Sequence, residues 1–263
     1  MRVAGRVVVV TGGGSGIGAA LVRRFAAEGA AAVVVADRDA QAASSVAAAC
    51  GPAGHAATLD VRDGAATEAL VAQVEAQHGP IGLYCANAGL GVPEGAYPAD
   101  DVWQRQWEVH LMAHVHAARA LVPRMTARPQ GGWLLFTASA AGLLSQPDAP
   151  YAVTKHAAVA HAEWLAITHG GQGLGVSCLC PGAVDTPMLR AEPEPRLQAM
   201  LAGQQPMGAD AVAEIVVRGL HDERFLILTH PQLSEWEARK VADRERWIRG
   251  MRRAWAGLQA SPS

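Results

Sequence analysis

The sequence predicts one α/β domain, a doubly wound, seven-stranded parallel sheet with helices on both faces, over residues 1–230, followed by an amphipathic helical tail at 231–263. Three observations predict it. Short β-branched runs alternate with longer stretches of helical period from the start, and parallel strands can be joined only through such right-handed crossovers. No Gly/Ser linker or internal repeat divides the chain. Half of the residues are hydrophobic and 17% are charged, which supplies apolar surface for one sizeable core and argues against disorder.

The elements follow in order. Residues 6–11 form a continuous β-branched run, the mark of a strand buried on both faces. Residues 16–28 place Ile17, Leu21, Val22 and Phe25 on one helical stripe that Gly29 ends. A second buried strand spans 33–37, an Ala-rich helix 40–50 and a short strand 56–61. A helix over 68–77 stops at Gly79-Pro80, and 81–87 is the fourth strand. A long helix over 102–128, with Pro123 near its end, precedes strand five at 133–139. Then come a helix at 151–169, strand six at 175–180, a helix at 209–220 and a last strand at 225–229. In the tail, Trp236, Val241, Trp247, Ile248, Met251 and Trp255 recur at roughly helical spacing among arginines, as in a helix packed on its own domain or on a sister subunit.

Bulk properties narrow the function. A net charge of −2 gives no reason to expect nucleic acid or an anionic membrane as partner, and Glu235, Glu237, Asp243 and Glu245 argue against reading the tail as a nucleic-acid arm. No run approaches a membrane span, and residues 1–10 lead straight into a strand with no signal-peptide pattern. Cys50, Cys85, Cys178 and Cys180 form no C-x-x-C pair and read as free thiols of a cytoplasmic protein. The chain holds only two lysines, Lys155 and Lys240, one asparagine, Asn87, and three tyrosines, so those residues carry more information than usual.

Thr11-Gly-Gly-Gly-Ser-Gly-Ile-Gly18 lies between the first strand and the first helix. Glycines there let the chain turn, let backbone N–H groups approach a pyrophosphate and let the helix start close to the sheet. The helix N-terminus adds N–H donors and partial positive charge. Gly12, Ser15, Gly16, Ile17 and Gly18 are therefore candidate dinucleotide ligands in a Rossmann-type site. Asp37 ends the second strand, where a carboxylate accepts the adenosine ribose hydroxyls and repels the 2′-phosphate of NADP. Arg38 beside it could instead welcome that phosphate; since a strand-end carboxylate would then have to tolerate a dianion within contact range, NAD is expected over NADP.

Tyr151 and Lys155 are four residues apart at the start of a helix, on one face. An ammonium there lowers the phenol pKa and makes Tyr151 a proton donor and acceptor. Ser139 ends strand five, at the carboxyl edge where ligands bind, and its hydroxyl could hold a substrate oxygen. Together with the glycine turn, these residues resemble the short-chain dehydrogenase/reductase family. The likeness runs over about residues 5–229 and includes Asn87-Ala88-Gly89 at the end of strand four and Pro181-Gly182 with Thr186 beyond it. The resemblance implies that Asp60 and Val61 flank the adenine, that Asn87, Ala88 and Gly89 brace the cofactor side, and that Pro181, Gly182, Val184 and Thr186 line the nicotinamide end. It implies Tyr151 as acid/base, Ser139 as orienter of the substrate oxygen, Lys155 as ribose ligand and phenol activator, and a homotetramer or homodimer built through the two long helices.

His110 stands where that family usually has an asparagine that holds a relay water. Histidine is bulkier and titrates near neutrality, so retained activity with an altered pH dependence is expected. His110, His114 and His116 also raise the question of a metal, but no acidic partner lies at matching spacing, and none is expected. On the substrate side, a lid over 186–208 carries Met188, Leu189, Met200, Leu201 and Met207, while Leu143 and Leu144 offer an apolar wall. The expected substrate is a small, apolar secondary alcohol or ketone. Competing readings are a C=C or C=N reductase on the same fold and a non-catalytic protein that senses NAD.

Overall fold

The computed structural model describes residues 1–91, 97–145, 148–191 and 205–260. The elements are β1 (Val7–Thr11), α1 (Gly16–Ala27), β2 (Ala32–Asp37), α2 (Ala40–Ala48), β3 (Gly54–Thr58), α3 (Gly64–His78) and β4 (Ile81–Ala86). There follow α4 (Asp100–Trp107), a π-helical turn (Glu108–Met112), α5 (Ala113–Thr126), β5 (Gly132–Thr137), α6 (Ala149–His169) and β6 (Leu174–Cys180). The last part contains β7 (Val184–Asp185), α7 (Pro187–Arg190), β8 (Met207–Gly208), α8 (Ala209–His221), β9 (Leu226–Leu228), α9 (Gln232–Ala242) and α10 (Arg244–Ala260).

Seven strands form one sheet in the order β3-β2-β1-β4-β5-β6-β9, all pairs parallel. Strand alternation divides its side chains between two faces. Val7 and Val9 of β1 join a core with Leu70 and Val74 of α3, Leu121 of α5 and Ala158 and Leu165 of α6. Val8 and Val10 join the opposite core with Leu21 and Phe25 of α1, Ala43 of α2 and Val216 and Leu220 of α8. Both faces are covered, which is why β4 is apolar throughout, β1, β2 and β5 are apolar up to their last residue, and β6 carries only Ser177 among apolar residues. The strand order reverses between β1 and β4, so the loops leaving their carboxyl ends diverge to opposite faces and open a crevice there.

Several boundaries differ from the sequence reading. β3 sits two residues earlier than expected, pairing Gly54 with Val33, and the chain leaves the sheet before Asp60 and Val61. The long helix is broken by the π turn at Glu108–Met112, which carries His110, while Pro123 sits inside α5, which runs on to Thr126. The tail is two helices, divided at Asp243, where extended backbone and an Asp243 carboxylate that accepts the Arg246 N–H start a new helix. A two-residue ladder, β7 with β8, was not foreseen. Among the described residues no helix is long and apolar enough to cross a membrane.

Candidate active site

A cleft of about 520 Å³ opens at the crevice. The glycine turn forms its floor. Gly12 has a φ of +62°, and a Cβ there would meet the Ala88 Cα at 2.8 Å. A Cβ on Gly18 would lie 2.0 Å from the Gly12 carbonyl oxygen, so only glycine lets α1 begin this close to β1. Ser15, the residue preceding α1, makes no side-chain bond to the helix, so the first-turn N–H groups stay directed at the cleft. This arrangement fits a dinucleotide phosphate.

Polar side chains around the turn are fixed by backbone. The Thr11 hydroxyl donates to the Cys85 carbonyl and accepts the Asn87 and Ala88 N–H groups. Asn87 Nδ2 donates to the Thr11 carbonyl at 3.1 Å, and its Oδ1 accepts the Thr137 hydroxyl at 3.1 Å. One amide thus ties the ends of β1, β4 and β5 together. Asp37 accepts the Gly14 N–H on Oδ2 at 2.9 Å and the Asp39 N–H on Oδ1 at 3.1 Å. Asp60 holds Arg62 in a bidentate pair, which keeps its carboxyl below the usual range, and Arg38 is exposed beside them.

At the other end of the cleft Ser139, Tyr151 and Lys155 come together. Ser139 Oγ accepts the Ala141 N–H at 3.1 Å and starts a short 3₁₀ turn, Ala140–Gly142. Asp148 caps α6 by accepting the Tyr151 N–H at 3.2 Å, which sets the first turn on which the tyrosine rides. Lys155 is 3% exposed; its Nζ donates to the Thr137 carbonyl at 3.0 Å and lies 5.7 Å from the Tyr151 ring centre. Burial pulls its pKa down to about 8.

The residues expected to hold the cofactor, and Ser139, Tyr151 and Lys155, all line this cleft; His110 does not. His110 is fully buried behind it, edge-on to the Tyr151 ring at 5.3 Å between centres. Its Nε2 accepts the Leu90 N–H at 3.1 Å, so the proton sits on Nδ1 and is donated to Thr154 Oγ1 at 3.0 Å. The Thr154 hydroxyl in turn donates to the Pro150 carbonyl at 2.8 Å, next to Tyr151. Burial, with the Lys155 and His114 charges adding to it, holds the His110 pKa well below its ordinary value. The expected titration near neutrality is therefore overturned: the ring is neutral across that range. His116 turns instead to the Val61 carbonyl, so the three histidines do not converge.

The apolar wall is also corrected. Leu143 and Leu144 belong to the core and do not line the cleft, because the turn at Gly142 packs against the Lys155 backbone and carries the chain inward. Met188 and Leu189 do line it, with Thr186 capping their helix α7. Met207 packs into the opposite core, and Met200 and Leu201 lie outside the described residues. Sequence reasoning missed Thr137, which touches both Asn87 and Lys155, and Asp148. The second had a readable signal: an Asp directly before Ala149-Pro150 is a helix start.

Comparisons with known proteins bear on this geometry. Residues 6–196 match the model of the short chain dehydrogenase family. The chain is 39% identical over 238 residues to 1-deoxy-11-beta-hydroxypentalenate dehydrogenase of Streptomyces exfoliatus, covering 88% of this chain and 85% of that protein. It is 33% identical over 221 residues to cis-4-hydroxycyclohexanecarboxylate dehydrogenase of Sinomonas cyclohexanicum, covering 82% and 87%. A solved short chain dehydrogenase/reductase of Burkholderia phymatum in complex with NAD superposes with a TM-score of 0.83 at 29% identity, covering 93% of this chain and 96% of that one. With its glycine turn, parallel sheet and matched span, the chain belongs to the short chain dehydrogenase family and is an oxidoreductase of that family.

Proposed function

We propose that the protein is an NAD-dependent alcohol dehydrogenase and carbonyl reductase acting on a small, largely apolar secondary alcohol or ketone, with Tyr151 as acid/base. The observation that carries the reading is the meeting of Ser139, Tyr151 and Lys155 in the cleft that begins at the uncapped start of α1. NAD is favoured because Asp37 is held by two backbone N–H groups at the end of β2, where a 2′-phosphate would meet its charge. The Burkholderia phymatum protein with NAD supports the same choice. Both named relatives are dehydrogenases of hydroxylated compounds, which supports an alcohol, and Met188 and Leu189 give that end of the cleft an apolar side.

When bound, the nicotinamide supplies the two-electron exchange with the carbinol carbon. The chain's own residues handle the oxygen. Ser139 Oγ already accepts the Ala141 N–H, so its proton is available to a substrate oxygen. Tyr151 gives its phenol proton to that oxygen in reduction and takes it back in oxidation, a contribution of about 10²–10⁴-fold. Lys155, tethered to the Thr137 carbonyl, turns its remaining protons toward the tyrosine and the cofactor ribose. Self-association through the outer faces of the long helices is part of the reading, since Trp107, Val153, Trp164 and Ile167 are exposed there. A cytoplasmic setting fits the four free cysteines.

The test is NADH and NADPH binding by fluorescence, then turnover of a ketone and alcohol panel, with Tyr151→Phe alongside. NADH binding with turnover reduced about a thousandfold in Tyr151→Phe is the expected result. Binding without turnover on any substrate would overturn the enzymatic reading in favour of an NAD-sensing protein.

A further inference from the structure

Of the two lysines, only Lys155 enters the chemistry above. Lys240, on α9, is 9% exposed. Burying an ammonium costs free energy, and burial draws its pKa below the ordinary lysine value. Two acceptors offset that cost. Lys240 Nζ donates to the Leu143 carbonyl and, at 3.3 Å, to His156 Nε2. The tautomer of His156 follows from its other contact. Nδ1 lies 2.8 Å from the Ala152 carbonyl, which can only accept, so Nδ1 carries the proton and Nε2 is the acceptor.

Both contacts fall on the frame of the site. Leu143 follows the 3₁₀ turn that Ser139 starts, and His156 follows Lys155 on α6. Turn and helix are flush: a Cβ on Gly142 would lie 2.7 Å from the Lys155 carbonyl oxygen. Yet neither Leu143, His156 nor Lys240 lines the cleft. Anchoring of the tail does not need a buried charge, because Leu233 and Trp236 already pack α9 on the core. An ammonium aimed at two fixed acceptors adds direction that an apolar side chain lacks.

We propose that Lys240 is a positioning residue: by bonding the Leu143 carbonyl and His156 Nε2, it fixes the Ser139 turn against α6 and so the place where the substrate oxygen is held between Ser139 and Tyr151. This rests on the hydride-transfer reading. The tail thereby shapes a site that it does not touch.

The experiment compares wild type, Lys240→Met and Lys240→Arg by steady-state kinetics on the best ketone of the panel, with NADH and with 4-deuterated NADH. Hydrogen exchange of residues 139–145 is measured on the same samples. In Lys240→Met the NADH affinity stays within twofold, kcat falls about tenfold (about 1.4 kcal/mol), the isotope effect rises and exchange at 139–145 quickens. Lys240→Arg restores most of kcat. A loss of kcat that matches a smaller folded fraction, with isotope effect and exchange unchanged, overturns the proposal. Should Lys240→Met not fold, His156→Leu removes one acceptor from outside the tail and is read in the same way. A wild type that turns over no ketone or alcohol overturns the hydride-transfer reading, and the exchange data then decide alone whether Lys240 holds the turn.

Discussion

Helices α1 and α6 both begin at the cleft, yet they begin in opposite ways. The start of α1 carries Gly16 and Gly18 and has no side-chain cap, so no capping side chain has to be displaced when a phosphate arrives. The start of α6 is closed by Asp148, which satisfies the Tyr151 N–H, while Pro150 has no N–H to satisfy. One end is left open because its ligand completes it. The other is finished in advance because the side chains it carries must stay still. The same distinction separates the polar groups behind them: His110, Thr154 and the Pro150 carbonyl form a closed hydrogen-bonded chain behind α6.

Between the two helix starts, the larger effect on cofactor binding is expected where the open one loses its space. Gly18→Ala forces a Cβ against the Gly12 carbonyl oxygen, and overpacking of about 1–3 kcal/mol lowers NADH affinity by roughly five- to 150-fold. Fluorescence titration measures it; unchanged affinity would mean that α1 need not approach the sheet so closely. A smaller change is expected at the closed start. Asp148→Ala removes a cap worth about 1 kcal/mol, so the midpoint of thermal unfolding drops by a few degrees and kcat falls, while NADH affinity holds. Equal losses at both ends of the cleft would erase the contrast.

The smallest catalytic effect is expected for His110→Asn, whose pH–rate profile keeps the wild-type shape between pH 6 and 9, because a ring held far below its ordinary pKa does not titrate there. Stability carries the signature instead. As pH falls below about 6.5, the unfolded histidine takes up a proton that the buried one refuses, so the native state loses stability. Wild type therefore weakens faster in acid than His110→Asn, as denaturant titrations at pH 7 and pH 5.5 would reveal.

Much of the fold and of the cleft's lining was legible because it is written locally. A β-branched run, a glycine turn and a strand-end Asp each act largely through neighbours a few residues away, as the Asp39 N–H on Asp37 Oδ1 shows. His110 was not legible in the same sense. Its neutrality comes from burial created when α4, the π turn and α6 pack, and no spacing in the chain encodes that. Leu143 and Leu144 have the composition of a substrate wall, but a single glycine packed against Lys155 decides which way they face. Lys240 was noticed only for its rarity; its partners lie 97 and 84 residues away in the sequence.

The burial of both lysines has a practical side. Amine-directed dyes, cross-linkers and activated resins attach to most proteins through surface lysines, at positions that seldom matter. Here such reagents meet no exposed lysine, since Lys155 and Lys240 are 3% and 9% accessible. Labelling through lysine will be slow, and each lysine it does reach will be one that helps build the site, so loss of activity should track the first acyl group attached rather than the last.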